Sequence, residues 1–236
     1  MIKNTPVLGS WAHRIYGKAK RLRFSGSSAY WEQRYRTGGN SGQGSYGRLA
    51  KFKAETLNSF VAEHGIETVV EFGCGDGAQL ELANYPQYLG LDIAPKAVDL
   101  CRERFAQNPG MSFAVLGTIE PGKHELSMSL DVIYHLVEDE VFEAHMAAVF
   151  DASSKYIAIF SSNVNCSSPE PHVRHRAFSR WVESERPNWR LFREVSNAFP
   201  PGSDESETSF ANFYFYVLDR EVRQPELNHV RSTVTS

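Results

Sequence analysis

Short apolar runs of strand length recur along the chain, and stretches with a helical spacing of apolar residues separate most of them. The runs are rich in β-branched and aromatic residues, which favour strands. Seven strands are predicted, at 68–72, 88–93, 111–116, 131–134, 156–160, 189–195 and 211–218. This alternation is typical of an α/β protein with a doubly wound, mostly parallel sheet.

Helices are predicted between most of these strands. The helical patterns cover 28–35, 48–64, 78–84, 95–107, 141–151 and 178–185. Gly65 suits the position just after a helix, and Glu138 with Asp139 suits a helix start. No helix separates the last two strands, so they should form an antiparallel hairpin. An ordinary dinucleotide-binding sheet would have a helix there.

A glycine-rich turn follows the first strand. Gly73, Gly75 and Gly77 come directly after it, and Glu71 lies near its end. Glycines let a ligand approach the backbone closely, and the start of the helix predicted to follow would offer free N–H groups. A carboxylate at this point favours a cationic or hydroxyl-bearing ligand, because it would repel a pyrophosphate.

This turn resembles a known motif. Residues 71–77, Glu-Phe-Gly-Cys-Gly-Asp-Gly, are similar to the acidic-x-Gly-x-Gly-x-Gly motif of class I S-adenosylmethionine (SAM)-dependent methyltransferases. The same glycines, with Ala78, also satisfy the G-x-G-x-x-G/A pattern of dinucleotide-binding proteins. Taken alone, the turn therefore fits either SAM or NAD.

The end of the second strand extends the resemblance to the methyltransferases. Asp92 can accept both ribose hydroxyls of either cofactor, and Pro95 opens the next helix as it does in the methyltransferase version. The resemblance implies a seven-stranded Rossmann-like methyltransferase fold with SAM as cofactor. Within the family, the chain is similar to bacterial enzymes that act on glycans or small molecules. The implied cofactor-binding residues are Glu71, Gly73, Cys74, Gly75, Gly77, Asp92, Ile93, Thr118, Asp131, Tyr46 and Arg48.

The turn after the third strand departs from the family pattern. Methyltransferases of this class often have an acidic residue there, which contacts the adenine. This chain has Gly117, Thr118 and Ile119 instead. Either the Thr118 hydroxyl or the neighbouring backbone would then contact the adenine amine.

Histidines follow two of the predicted strands. His135 is placed at the carboxyl end of the fourth strand, where it would act as a general base, bind substrate or only shape the pocket. His172 and His175 are the alternative bases. As a metal pair these two lack a third ligand with suitable spacing, so no metal is expected.

Arginines and tyrosines near these histidines are the predicted substrate ligands. Arg174 and Arg176 suit an anionic substituent such as a phosphate or carboxylate, although the same segment would also fit a solvated helix start. Tyr35 and Tyr134 complete the predicted set of substrate-binding residues.

Three regions are predicted along the chain: an N-terminal arm and lid at 1–47, the SAM-binding domain at 48–222 and a disordered tail at 223–236. The glycine-rich stretch 37–47 is interpreted as an ordered loop over the cofactor pocket, with Tyr35, Tyr46 and Arg48 as its candidate contacts. The arm has a basic cluster that is either solvated or in contact with an acidic substrate or a membrane surface. Its members are Arg14, Lys18, Lys20, Arg21 and Arg23.

Composition limits the choice of partners. The chain has 236 residues, enough for one α/β domain, and its net charge of −3 gives no electrostatic case for nucleic acid. Three widely spaced cysteines fit a reducing cytoplasm, and no apolar run is long enough to cross a bilayer or form a signal peptide.

Together these patterns predict a cytoplasmic SAM-dependent O-methyltransferase. Its acceptor would be a hydroxyl or carboxylate of a small molecule, such as a sugar or glycan precursor. Two alternatives remain open. One is an NAD-dependent oxidoreductase or epimerase, for which no Tyr-x-x-x-Lys pair is suitably placed. The other is a SAM-binding domain without catalytic activity.

Overall fold

A single seven-stranded sheet runs through the protein, as the sequence predicts. The computed structural model describes residues 24–202 and 207–219. The strands are β1 (Thr68–Phe72), β2 (Gln87–Asp92), β3 (Met111–Val115), β4 (His124–Leu130), β5 (Ser153–Ser161), β6 (Trp189–Val195) and β7 (Asn212–Leu218). Their order in the sheet is β3-β2-β1-β4-β5-β7-β6.

Five α-helices accompany these strands in the described part of the chain. They are α1 (Ser27–Arg36), α2 (Gly47–His64), α3 (Pro95–Arg104), α4 (Asp139–Asp151) and α5 (Phe178–Glu185). Gly65 ends α2 with a left-handed backbone at φ 57°, which a residue with a side chain adopts less readily. Pro95 opens α3 at a position where its missing N–H costs no hydrogen bond.

The helices cover both faces of the sheet. On one face α2 and α3 contribute residues such as Phe60 and Val98 to a core that includes Leu126 and Phe213. On the other face α4 and α5 pack Met146 and Phe178, among others, against the sheet. None of the helices in the described part is long and apolar enough to span a membrane.

The C-terminal hairpin has the predicted antiparallel geometry. Strand β7 inserts between β5 and β6 and pairs with both in the antiparallel sense, whereas the pairs among β1 to β5 are parallel. This confirms the doubly wound, mostly parallel sheet with an antiparallel end. The basic cluster of the N-terminal arm and the predicted tail at 223–236 lie outside the described residues.

The fourth strand lies earlier than predicted. The sequence analysis placed it at 131–134, but β4 covers 124–130 and pairs with β1. Asp131 has a left-handed backbone at φ 58°, which ends the strand, and 133–135 form a 3₁₀ turn. The prediction failed because Ser127 and Ser129 are fully buried in β4, although their polarity suggests a surface segment.

The helix predicted at 78–84 is also wrong. Only a 3₁₀ turn at 80–82 forms there, because Ala83 is already extended and the chain must return to β2 within a few residues. The backbone N–H groups of residues 75–78 are instead hydrogen-bonded within the protein. Helix α3 is shorter than predicted and ends at Arg104.

Candidate active site

A cavity of about 910 Å³ lies at the carboxyl ends of β1, β2 and β4. Helix α1, the loop at 37–46 and α2 contribute one side of it. The segment 116–123, which joins β3 to β4 without a helix and is called the strap below, forms another side together with α4. The predicted site residues that line this cavity are Tyr35, Glu71, Gly73, Cys74, Gly75, Asp92, Ile93, Asp131 and His135.

The glycine turn is tightly packed. Gly73 and Gly75 have positive φ angles of 93° and 57°. A Cβ atom at Gly73 would overlap the side chain of Val132, and one at Gly75 would overlap the hydroxyl of Ser41. Both positions therefore require glycine. Cys74 is buried in the same turn, and a hydrogen bond with Cys101 together with burial raises the pKa of its thiol well above the usual value.

Two buried carboxylates border the turn. The backbone N–H groups of Gly75 and Ala94 donate to Asp92 at 2.9 Å each, and burial raises the pKa of this carboxyl to about 6. The Tyr88 hydroxyl donates to Glu71 Oε2 at 2.6 Å, and burial raises the pKa of Glu71 to about 7. Carboxylates that ionise near neutrality in a buried site favour a ligand with hydroxyls or positive charge.

A third carboxylate, Asp131, is paired with a lysine that the sequence analysis missed. Lys53 Nζ on α2 lies 2.7 Å from Asp131 Oδ2, and its side chain is only 1% exposed. The hydroxyl of Tyr134 donates to Asp131 Oδ1 at 2.8 Å. Tyr134 is buried behind this carboxylate and does not line the cavity, contrary to the predicted substrate contact.

The glycine-rich loop covers the cavity, and Asp76 of the glycine turn holds it in place. Asp76 accepts hydrogen bonds from the backbone N–H of Ser41 at 3.0 Å, the Ser41 hydroxyl at 2.7 Å and the Tyr46 hydroxyl at 2.8 Å. The hydroxyls of Tyr35 and Ser41 are 2.9 Å apart. Tyr46 therefore anchors the loop from outside the cavity, whereas Tyr35 lines it.

Besides Tyr46, three further predicted cofactor contacts do not reach the cavity. The Arg48 guanidinium donates to the carbonyl of Glu207 and stacks on the ring of Phe199. The Thr118 hydroxyl donates to the carbonyl of Val115 at 2.7 Å. Gly77 packs against α3 and its end. Contrary to the prediction, none of the three lines the cavity.

His135 lines the cavity with its ring held in a defined orientation. Its Nδ1–H donates to the carbonyl of His172 at 3.0 Å, and the edge of the Trp31 ring lies against it. Burial lowers the pKa of His135 to about 4, so the imidazole is neutral at physiological pH. Because Nδ1 carries the hydrogen, Nε2 is the nitrogen with a free lone pair.

The other two predicted bases lie elsewhere. The His172 ring stacks between His135 and Tyr30 and does not line the cavity. His175 lies 2.8 Å from the Ser162 hydroxyl and borders a second cavity of about 840 Å³. The two cavities share no lining residue, so His175 is separated from the glycine turn.

The two predicted substrate arginines border the second cavity as well. Arg174 and Arg176 each lie 3.0 Å from Asp139 Oδ1, and both donate to the carbonyl of Val137. They hold the segment between His135 and α4 in place, and neither lines the first cavity. Within the described residues, no group of three histidine, cysteine or acidic side chains has a metal-binding arrangement.

Sequence reasoning missed five residues that build the site: Trp31, Ser41, Lys53, Asp76 and His145. Lys53 and His145 lie in amphipathic helices, where a polar residue is usually exposed. Asp76 lies within the glycine motif and Ser41 within the glycine-rich loop. Since the loop was predicted to lie over the pocket, a hydrogen bond between these two residues could have been predicted from the sequence.

No family model matches the chain, and no curated protein matches it by sequence. Solved structures do match. The N-methyltransferase NodS from Bradyrhizobium japonicum WM9, in complex with S-adenosyl-L-homocysteine (SAH), superposes with a TM-score of 0.60 at 13% identity, over 82% of this chain and 99% of that chain.

Two further structures are similar. Magnesium protoporphyrin IX methyltransferase (ChlM) from Synechocystis PCC 6803, with bound SAH, gives a TM-score of 0.56 at 14% identity over 72% of this chain and 84% of that chain. The methyltransferase domain of bacterial CtHen1-C gives 0.55 at 14% identity, over 70% and 96%. The chain therefore has the Rossmann-like fold of class I SAM-dependent methyltransferases.

Proposed function

We propose that this protein is a SAM-dependent methyltransferase. The observation that supports this function best is the convergence of the glycine turn with Glu71, Asp92 and Asp131 in one cavity at the carboxyl ends of β1, β2 and β4. Ligands bind at this edge in open α/β sheets, next to the point where strand order reverses. Two of the similar structures contain bound SAH, which supports SAM as the methyl donor.

The lining residues fit this cofactor. Asp92 would accept the ribose hydroxyls, and Glu71 with the backbone at Gly73 would lie beside the amino acid part. Ile93, Leu116 and Val132 would border the base with apolar surface. When bound, SAM supplies an electrophilic methyl group on a positively charged sulfur. An ionised Glu71 would stabilise that charge, whereas it would repel a pyrophosphate.

His135 is the residue proposed to accept a proton from the acceptor. A hydroxyl is a poor nucleophile at neutral pH, so its proton must be removed as the methyl group is transferred. The neutral His135 ring has a free lone pair at Nε2, and the His172 carbonyl holds its opposite nitrogen. A carboxylate acceptor would not need this base.

The proposed acceptor is a hydroxyl compound of small size, such as a sugar or glycan precursor. Trp31 and Tyr35 offer aromatic surface next to His135 on the wall of the cavity. An anionic substituent has less support than the sequence suggested, because Arg174 and Arg176 are already paired with Asp139.

The test is SAH formation from SAM in the presence of a pool of hydroxyl and carboxylate compounds, followed by purification of the methylated product. With a hydroxyl acceptor, His135→Gln should lower kcat by about 100-fold or more. His175→Gln is the matched control, because His175 borders the other cavity, and it should retain most of the activity.

Two results would contradict the proposal at different points. Unchanged kcat of His135→Gln at saturating acceptor would exclude His135 as the base. Tight SAM binding without turnover on any compound of the pool would favour a non-catalytic SAM-binding domain.

A further inference from the structure

The cavity continues beyond Asp92 into an apolar slot between the strap and α4. Its walls include Ile93, Leu116 and Gly117 from the ends of β2 and β3, and Val141 and Ala144 from α4. This inference rests on the proposed function: if Asp92 holds the ribose, the base attached to that ribose extends into the slot.

His145 on α4 is the buried polar side chain of this slot. The residue is 8% exposed, and its ring lies perpendicular to that of Phe72 at the end of β1. The other polar residues of the slot that the structure describes, including Glu120, Lys123 and Glu140, are exposed. A base within the slot would therefore meet His145 as its buried polar neighbour.

One ring nitrogen of His145 is bonded and the other is open to the slot. Nε2 lies 2.8 Å from the Ser129 hydroxyl on β4. Nδ1 has no hydrogen-bond partner within the described part of the chain, and it is not sealed off from the cavity that the side chain lines. A ring nitrogen that has no protein partner at a cavity wall is available to hydrogen-bond a ligand.

The hydrogen of this imidazole can be assigned. Burial lowers the pKa of His145 to about 4, so only one nitrogen carries a hydrogen at neutral pH. Within the described residues the Ser129 hydroxyl has no partner other than Nε2. The hydroxyl hydrogen is satisfied only if it is donated to Nε2, which leaves the ring hydrogen on Nδ1.

We infer that the Nδ1–H of His145 donates to a ring nitrogen of the adenine of the methyl donor, and that His145 is a specificity-determining residue for that base. For the adenine amine, the sequence left open a contact with the Thr118 hydroxyl or with the neighbouring backbone. That hydroxyl is bonded to the carbonyl of Val115, and Thr118 does not line the cavity. The side chain that recognises the base would therefore come from α4, after β4, and not from the turn after β3.

The experiment is calorimetric titration of the full chain with SAH and with its 1-deaza, 3-deaza and 7-deaza analogues, each of which lacks one ring nitrogen. The proteins are the wild type, His145→Phe and the control His64→Phe, which replaces a histidine at the far end of α2. Wild type and control should bind one of the three analogues about tenfold more weakly than SAH. His145→Phe should bind SAH about tenfold more weakly and should not discriminate against that analogue.

Several results would overturn the inference. One is equal SAH affinity in the wild type and His145→Phe, and another is the same analogue penalty in both. Equal binding of all four ligands by the wild type would also contradict it. This comparison uses the wild type alone and so does not depend on whether a variant folds. Absence of SAH binding to the wild type would instead contradict the proposed function, so the two failures are distinguishable.

Discussion

Three carboxylates lie close together at one edge of the sheet, and each has different hydrogen-bond partners. Glu71 is bonded to Tyr88, Asp92 to two backbone N–H groups, and Asp131 to Lys53 and Tyr134. Burial raises the pKa of Glu71 and of Asp92, so both keep their protons at higher pH than exposed acids do. Their charge is therefore most available above neutrality.

The raised pKa of Glu71 predicts a pH-dependent stability. Its pKa is about 7 in the folded protein against 4.5 for the free group, so the folded state binds the proton more tightly. The stabilisation is complete below pH 4.5 and is lost as pH rises through 7. The loss is about 3 kcal/mol. Glu71→Gln has no such loss. The free energy of unfolding of the variant minus that of the wild type should therefore increase as the pH is raised from 5 to 8.

Urea denaturation of the ligand-free protein at several pH values in this range measures that difference. The exposed Glu67→Gln is the matched control and should stay parallel to the wild type. A constant difference between Glu71→Gln and the wild type across the range would show that Glu71 ionises normally.

The Lys53–Asp131 pair predicts a strong coupling. Lys53→Met leaves the partly buried carboxylate without its cation and should lower the free energy of unfolding by about 3 kcal/mol. Asn can keep the left-handed backbone at position 131, so Lys53→Met with Asp131→Asn should recover most of this loss. A double-mutant cycle in chemical denaturation measures the coupling. Losses that simply add would mean that the pair is not coupled.

At the residue scale, the site residues that lie next to a sequence motif could be predicted, and those far from any motif could not. Glu71 and Asp92 could be predicted because each lies at the end of a recognisable strand, close to the glycines. Lys53 and His145 could not, because a single polar residue in an amphipathic helix does not show which strand it meets. The exact partners of Arg174 and Arg176 also depend on tertiary contacts, here with Asp139.

At the element scale, the loop at 37–46 and the glycine turn hold each other in place. Ser41 and Tyr46 from the loop both donate to Asp76 in the turn, and the tight packing of Gly75 against Ser41 fixes their distance. The loop therefore forms part of the cavity wall in the folded protein. A ligand in that cavity should dissociate more slowly when these hydrogen bonds are intact.

Tyr46→Phe tests this arrangement. Loss of the hydrogen bond to Asp76 should raise the SAH dissociation rate about fivefold to tenfold, because Tyr46 anchors the loop without lining the cavity. Stopped-flow fluorescence can follow the release, since Trp31 lines the cavity. Tyr156→Phe, on β5, is the control. A dissociation rate equal to that of the wild type would show that the loop does not retain the ligand.

The sequence predicted elements well where their pattern was strong and poorly around β4. Strand β1 and helix α5 were placed correctly, because β1 is a short run of mostly apolar residues and the apolar residues of α5 have a clear helical spacing. Strand β4 contains buried serines, whereas the 3₁₀ turn that follows it is apolar. Because strands are usually the more apolar of the two, the pattern predicted a strand at the position of the turn.

At the scale of the whole molecule, the antiparallel β7 and the strand order define the fold. The position of the cavity follows from them, because β1 lies between β2 and β4 and all three end at the same edge. The absence of a helix between the last two strands predicted the antiparallel hairpin, and the resemblance of the glycine turn to the methyltransferase motif implied the position of the site. It could not predict the width of the slot, which arises because the strap replaces a helix between β3 and β4.

The most direct test of the central claim is calorimetric titration of the purified protein with SAM, SAH and NAD⁺ at pH 8. The three carboxylates and the glycine turn predict one site per chain for SAM and for SAH, and no measurable binding of NAD⁺. Binding of NAD⁺ without binding of SAM or SAH would contradict the claim.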